Sequence, residues 1–385
     1  MSDLIENVLI LQGGGSLGAF GCGVFKALAN KNIKIDIIAG TSIGGLNASI
    51  IAGSKEDHPE KALEQYWLEL AEGSTNPNSH FIGWLTGYPT PLTAPATKHL
   101  SQVKPIMSFY SSAFYGNKKV FVPRWGPEFA FTDRQYFTPN AWTYLYDHSP
   151  LVKTAEKYIE YNKLQPNGKP NSRLIMTAVN VLTAEPLIFD SNRQQITSKH
   201  ILAATGYPSY YFGWVEIEKG VYAWDGSLLS NTPLREVIDA SPVKDKRIFL
   251  VENYPKKTDT LPDNLLEAQH RARDIMFSDK TIHNVRMSKV ITHYLRLIDD
   301  LYRILENNFN SEKKEDKDKF EQIRTRYKKV SEEHGAEIRH VYYITRDEPL
   351  PSLYENADFS VDAVKASIRD GEVKMNQKLN DSKTR

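Results

Sequence analysis

The chain has 385 residues, 41% of them hydrophobic and 25% charged, and 48 Lys+Arg against 47 Asp+Glu leave a net charge of +1. That composition belongs to a globular protein, and the balanced charge excludes the basic field a nucleic-acid binder depends on. One cysteine, Cys22, excludes a framework of intramolecular disulfides.

Residues 1–7 carry two acids and no basic residue, which does not fit a secretory signal and points to the cytoplasm. Val8-Leu9-Ile10-Leu11 is a short continuous apolar run, the pattern of a strand buried on both faces of a parallel sheet. Gly13-Gly14-Gly15 follows, then a helical pattern to about Lys31. Ile33 begins a second apolar run that ends at Ala39, and Gly40-Thr41-Ser42-Ile43-Gly44-Gly45 breaks it before another helix. Strand, glycine turn, helix, repeated, is a βαβ unit. Residues 37–53 are uncharged, but seventeen residues with four glycines, Thr41, Ser42, Asn47 and Ser49 are too short and polar to span a bilayer. A soluble chain with at most peripheral membrane contact is expected.

Residues 77–150 differ. Sixteen of the 66 residues from Phe81 to Tyr146 are aromatic, and nine of the twenty prolines fall between Pro77 and Pro150. Prolines break regular structure while aromatics need an apolar surface to cover, so this stretch reads as an irregular insertion. It either packs a small core of its own or forms a lid that lines an acyl-chain site near Ser42. Strand patterns resume at residues 173–180, 186–189, 221–224 and 247–251. Residues 265–305 are helical, with Ile291, Leu295, Ile298, Tyr302 and Leu305 at 4-3-4-3 spacing. Mixed charges at 312–329 suit a solvated helix or loop, residues 338–345 a further strand, and residues 361–379 a closing helix.

Three motifs carry chemistry. Gly40-Thr41-Ser42-Ile43-Gly44 is G-x-S-x-G between a strand and a helix, the setting of a nucleophile elbow, with the helix dipole aimed at the Ser42 oxygen. Gly13-Gly14-Gly15-Ser16-Leu17-Gly18 allows two readings. Its glycines free backbone N–H groups for an oxyanion hole. They also satisfy G-x-G-x-x-G, with Asp36 near the place of a ribose-binding acid, so a dinucleotide-binding oxidoreductase competes. Asp225-Gly226 closes a strand and on its own is an ordinary turn.

Together, in this order and spacing, the three motifs resemble the patatin-like phospholipase family. The resemblance includes the small-residue helix 19–28 and Ser230-Asn231-Thr232-Pro233-Leu234. Around Arg273-Asp274-Ile275-Met276-Phe277-Ser278 and the last helix, the chain is similar to a bacterial subgroup with a C-terminal extension. The family implies a three-layer α/β/α hydrolase core with a parallel-rich central sheet in residues 1–260, an aromatic lid insertion at about 77–150, and a mainly helical extension in 261–385. It implies a serine acyl-ester hydrolase of phospholipase A or lysophospholipase type acting on phospholipid or another lipid ester, without metal or cofactor. Ser42 would be the nucleophile and Asp225 its base and orienter, with no catalytic histidine. Gly13, Gly14 and Gly15 would form the oxyanion hole, and Gly18, Gly40, Gly44 and Gly226 would support the motifs. An acyltransferase using the same acyl-enzyme is the near alternative, and a silent scaffold a further one. Leu17 stands where the family often has Arg or Lys, and Ser227 where a second glycine is frequent. His270, His283 and His293 fall on different faces of one helix, and His334 and His340 lack an HExxH pattern, so packing or surface roles are expected. Cys22 reads as a packed thiol.

Overall fold

The computed structural model describes residues 5–73, 117–334, 336–347 and 355–381. The chain opens with β1 (Glu6–Leu11), α1 (Gly18–Asn30), β2 (Ile37–Thr41), α2 (Ile43–Ala52) and α3 (Pro59–Glu72). A two-stranded ribbon, β3 (Val122–Pro123) with β4 (Tyr146–Asp147), precedes α4 (Ser149–Ala155). Next come β5 (Arg173–Asn180), β6 (Pro186–Asp190), α5 (Ser198–Thr205), β7 (Val215–Glu218), β8 (Val221–Asp225), α6 (Leu234–Ala240) and β9 (Lys246–Glu252). The described chain finishes with α7 (Leu265–Asn308), α8 (Lys314–His334), β10 (Ile338–Thr345) and α9 (Val361–Asp381).

Eight strands form one sheet in the order β10-β9-β1-β2-β5-β8-β7, with β6 on β5. β10, β9, β1, β2 and β5 run parallel, β6 and β8 pair antiparallel with β5, and β7 pairs antiparallel with β8. Alternation along the strands feeds two cores. Leu9, Leu11, Ile38 and Met176 face a layer of α1, α2, α3 and α9 residues, including Phe20, Leu46, Trp67 and Ile368. Val8, Ile10, Ile37 and Ile175 face the other side, against Leu234 and Val237 of α6 and Val285 of α7. Helices cover both faces, so the central strands are apolar at every position. β2 starts four residues later than the apolar run that begins at Ile33. Lys34 and Asp36 break that run, and the Asp36 amide and carbonyl serve as edge contacts to Asn7 and Arg173.

β5 holds the layout that matters most. β6 lies along one edge of β5, on Ile175 to Val179. β2 and β8 therefore share the other edge: Thr41 pairs with Thr177, and Asp225 pairs with the very next residue, Ala178. The end of β2 and the end of β8 meet there head to head.

The last strand of the sheet, β10, comes from residues 338–345, and α9 packs on α1. The segment after residue 260 thus supplies both a sheet edge and part of the main core. In the aromatic insertion, residues 74–116 lie outside the described residues, and so does most of the stretch expected to line an acyl site. From Asn117 onward the insertion makes an aromatic cluster of its own. Phe121 packs on Tyr146 and Phe212 at 5.2 and 6.0 Å, and Arg124 sits over the rings of Trp142 and Tyr144. His148, buried, stacks on Phe212 and bonds to the Leu202 carbonyl at 2.9 Å. Cys22 is fully buried, and burial pushes its thiol far up.

Candidate active site

Ser42 occupies the single residue between β2 and α2, at φ 56°, ψ −132°. A non-glycine residue avoids this left-handed region unless its surroundings enforce it. Here the neighbours enforce it by being small. A Cβ on Gly40 would overlap the Gly44 backbone, and a Cβ on Gly44 would overlap the Leu11 carbonyl. Chain entry and exit can approach this closely only with glycine on both sides of the serine. Ser42 is also the residue that caps α2, so its oxygen stands at the positive end of a ten-residue helix.

Asp225, at the end of β8, is fully buried. Its Oδ1 accepts the Ser227 amide at 2.8 Å, which fixes the turn after the strand. A Cβ on Gly226 would meet Thr177 Oγ1 and the Thr177 carbonyl, so glycine lets the turn lie flat on β5. The Ser42 hydroxyl faces the carboxyl. Burial pushes Asp225 up to about 6, against the pull of Ser42 and of the Ser227 amide and hydroxyl, which favour the charged form. Oδ2 is buried and closes no hydrogen bond of regular geometry, so the resting contact with Ser42 is loose, as is common in an unliganded site.

The glycine loop passes beside the serine. A Cβ on Gly13 would lie 2.8 Å from the Ser42 Cβ and 2.8 Å from Asn231 Oδ1. Gly14 and Gly15 both have positive φ, 150° and 60°, conformations that only glycine adopts cheaply. The Gly13 N–H is taken by Asn231 Oδ1 at 3.0 Å. Among the described residues no hydrogen bond engages the N–H of Gly14 or Gly15. The oxyanion reading of the three glycines therefore narrows to Gly14 and Gly15 in this resting arrangement. Gly18 lets the start of α1 approach Ile43 and Trp67.

Asp36, the acid the dinucleotide reading needs, lies before β2, at the strand end opposite to Ser42 and the glycine loop. Its carboxylate accepts the Asn7 amide at 2.9 Å. A ribose acid belongs at the carboxyl end of its strand, so this competitor is set aside. His270 is buried, with Nδ1 3.5 Å from Asp274 Oδ2, while His293 and His340 are exposed.

Several polar residues of the site had no motif to announce them. Gln12 bonds to Thr232 through its side chain at 3.0 Å, and Asn253 donates to the carbonyls of Gln12 and Gly13 at 3.1 Å each. Thr41 and Thr177 share a hydroxyl contact at 3.1 Å beneath the serine. From the far end of the chain, the Asn356 carbonyl rests against Gly15, and its side chain bridges Arg273 and Tyr210. Thr41, Asn231, Thr232 and Arg273 stood inside stretches already singled out, with no such task attached.

Comparison with known proteins adds three findings. The model of the family described as patatin-like phospholipase matches residues 9–238, more than half of the chain. A patatin-like phospholipase domain-containing protein of Caenorhabditis elegans is 45% identical over 60 residues, which is 16% of this chain and only 4% of that protein. Among solved structures, VipD from Legionella pneumophila aligns with 98% of this chain and 67% of its own, at 13% identity and a TM-score of 0.38. ExoU from Pseudomonas aeruginosa, in a complex with SpcU, aligns over 70% and 47%, at 16% identity and a TM-score of 0.28.

Proposed function

Since the chain belongs to the patatin-like phospholipase family, and so to the lipid acyl hydrolases, we propose that it cleaves phospholipid or another lipid acyl ester through Ser42 and Asp225. The observation that carries this reading is the serine held at φ 56° against a fully buried carboxyl. At neutral pH a carboxyl lifted to about 6 is charged yet still a usable proton acceptor, far better matched to the task than an exposed aspartate. Ser42 Oγ attacks the ester carbonyl as Asp225 takes the hydroxyl proton. The carbonyl oxygen becomes negative and receives the Gly14 and Gly15 N–H groups, with the α2 terminus adding its field. Collapse expels the alcohol or lysolipid, which leaves with the proton from Asp225, and the acyl group stays on Ser42. Water then gives a proton to Asp225 as it attacks the acyl carbonyl, and Asp225 returns that proton to Ser42 Oγ as the Oγ–acyl bond breaks and the fatty acid leaves. No step calls for a metal or cofactor.

Exposed aromatics favour lipid contact. Trp125, Phe131, Phe137, Tyr211 and Trp214 are all solvent-facing, and the segment carrying Tyr211 and Trp214 continues from Gly206, whose carbonyl holds the Asp225 amide at 3.1 Å. Large amphipathic rings are the side chains that settle at a lipid–water boundary. The test is hydrolysis of acyl esters of graded chain length by wild type, Ser42→Ala and Asp225→Asn, each verified as folded. Loss of at least about a thousandfold in both variants is expected. Turnover that survives Ser42→Ala overturns the mechanism.

A further inference from the structure

The longest helix of the chain carries an apolar face that its own fold leaves open. α7 has 44 residues, about 66 Å at 1.5 Å per residue. It starts at the carboxyl edge of the sheet, where Arg273 bonds to Asn356 at 2.7 Å. Val285 crosses the middle of the sheet. Arg296 reaches Glu337, just before β10, at the opposite edge. The helix then continues about 18 Å beyond, and α8 folds back on it through stacked Tyr302–Tyr327 and Phe309–Phe320 pairs.

Along this arm Met287, Ile291, Tyr294, Ile298, Leu301 and Leu305 repeat at 4-3-4-3-4 spacing, the seam of a left-handed helix pair. A third row, Val290, Leu297 and Ile304, borders the seam seven residues apart. All nine side chains are between 37% and 62% exposed. On the other border Leu295 is partly buried, and Tyr302 is buried where it stacks on Tyr327 of α8. Between the two helices an apolar groove of about 290 Å³ remains open, lined by Ile298, Leu301, Leu305, Ile323 and Val330 among others. An apolar arc this wide belongs to a helix with two neighbours, as in a four-helix bundle. The hairpin supplies one.

We propose that the second neighbour is α7 of another copy of this chain, packed antiparallel about a two-fold axis near Leu297. Three observations select this occupant. A parallel partner would have to present the border that carries Tyr302, which its own α8 covers. An antiparallel one brings the open rows together, Leu297 on Leu297 and Val290 on Ile304. That register also brings His293 of each copy to Asp300 of the other. Both are exposed, and neither has a partner within the chain among the described residues, whereas neighbouring Asp299 and Arg296 are paired with Arg303 and Glu337. Finally, nine half-exposed side chains offer on the order of 800 Å² per copy, what one partner buries in a standard interface. A lipid surface fits less well, because the stripe lies toward the end of the strands opposite to Ser42.

The 385-residue chain is measured by light scattering and sedimentation velocity at roughly 50 µM, above the micromolar range such interfaces reach. The expected particle has twice the 43.8 kDa chain mass. Leu297→Asp with Ile304→Asp, both at exposed positions, is expected to give a folded monomer with unchanged circular dichroism and a dissociation constant raised at least about a hundredfold. His293→Glu weakens the dimer through its clash with Asp300, and adding Asp300→Lys restores it, a rescue that only the antiparallel register predicts. A monomeric wild type overturns the proposal, as does a dimer indifferent to the aspartates. So does a monomer whose Leu297 face floats with phosphatidylcholine–phosphatidylglycerol vesicles, which would assign the stripe to lipid.

Discussion

Asp225 is where burial has opposite consequences for stability and for chemistry. Its carboxyl is raised from 3.8 to about 6, so between those values it is protonated in the folded chain and already charged in the unfolded one. The folded state holds the extra proton, and stability falls as pH rises through that window. That rise corresponds to about 3 kcal/mol. Hydrolysis responds the other way, because only the carboxylate accepts the Ser42 proton, and the rate should fall as pH drops through about 6. Asp225→Asn keeps an Oδ1 acceptor for the Ser227 amide while removing the buried charge. It is expected to lose turnover yet melt several degrees above wild type near pH 8, with the gain gone near pH 4. Thermal melts at the two pH values check this; a less stable variant near pH 8 would contradict it.

At the scale of elements, the contact between α1 and α9 depends on backbones that nearly touch. A Cβ on Gly23 would run into the Ile368 carbonyl, and one on Gly371 into the Phe20 carbonyl. Alanine at either position gains about 1 kcal/mol of helix propensity. Against that, the obstacle is main chain and cannot swing aside. Gly23→Ala and Gly371→Ala should therefore each destabilise by about 1–3 kcal/mol, and together by less than the sum, since the first already separates the helices. Urea titration of the two single variants and the double variant measures this; a stabilised single variant would refute it. These packing glycines also mark what was legible in the sequence. β1, β2, β5 and β9 could be read as continuous apolar runs because both of their faces are buried. Ser42, Asp225 and the glycine loop could be read because turn geometry is local. β7 was not expected: Val215-Glu216-Ile217-Glu218 alternates on a half-exposed hairpin and has no apolar run. The tasks of Asn231, Asn253 and Asn356 were hidden for another reason. Each acts on a residue more than two hundred positions away, and no local pattern encodes a distant partner.

Across the whole molecule, the candidate site is assembled from the two ends of the chain and its middle. β1 is paired on β9, and β9 on β10, so the strand that launches the glycine loop is flanked by residues far along the sequence. Asn356 then leans on that loop from beyond β10. Neither Ser42 nor Gly14 and Gly15 can be held in place until these long-range pairings exist, and such pairings close slowly because the intervening chain must first be ordered. β5 adds a stricter condition. Thr177 and Ala178 receive the ends of β2 and β8 on adjacent positions, so a one-residue slip of β8 would turn the Asp225 side chain to the opposite face of the sheet. During refolding from denaturant, helix content and compactness are therefore expected to recover first, with ester hydrolysis returning only afterwards, in a separate slower phase. Stopped-flow circular dichroism alongside delayed activity assays would read the interval, and coincident phases would mean that β8 finds its place early. The chain that most resembles its native form by ordinary optical measures would, for that interval, be unable to turn over a single ester.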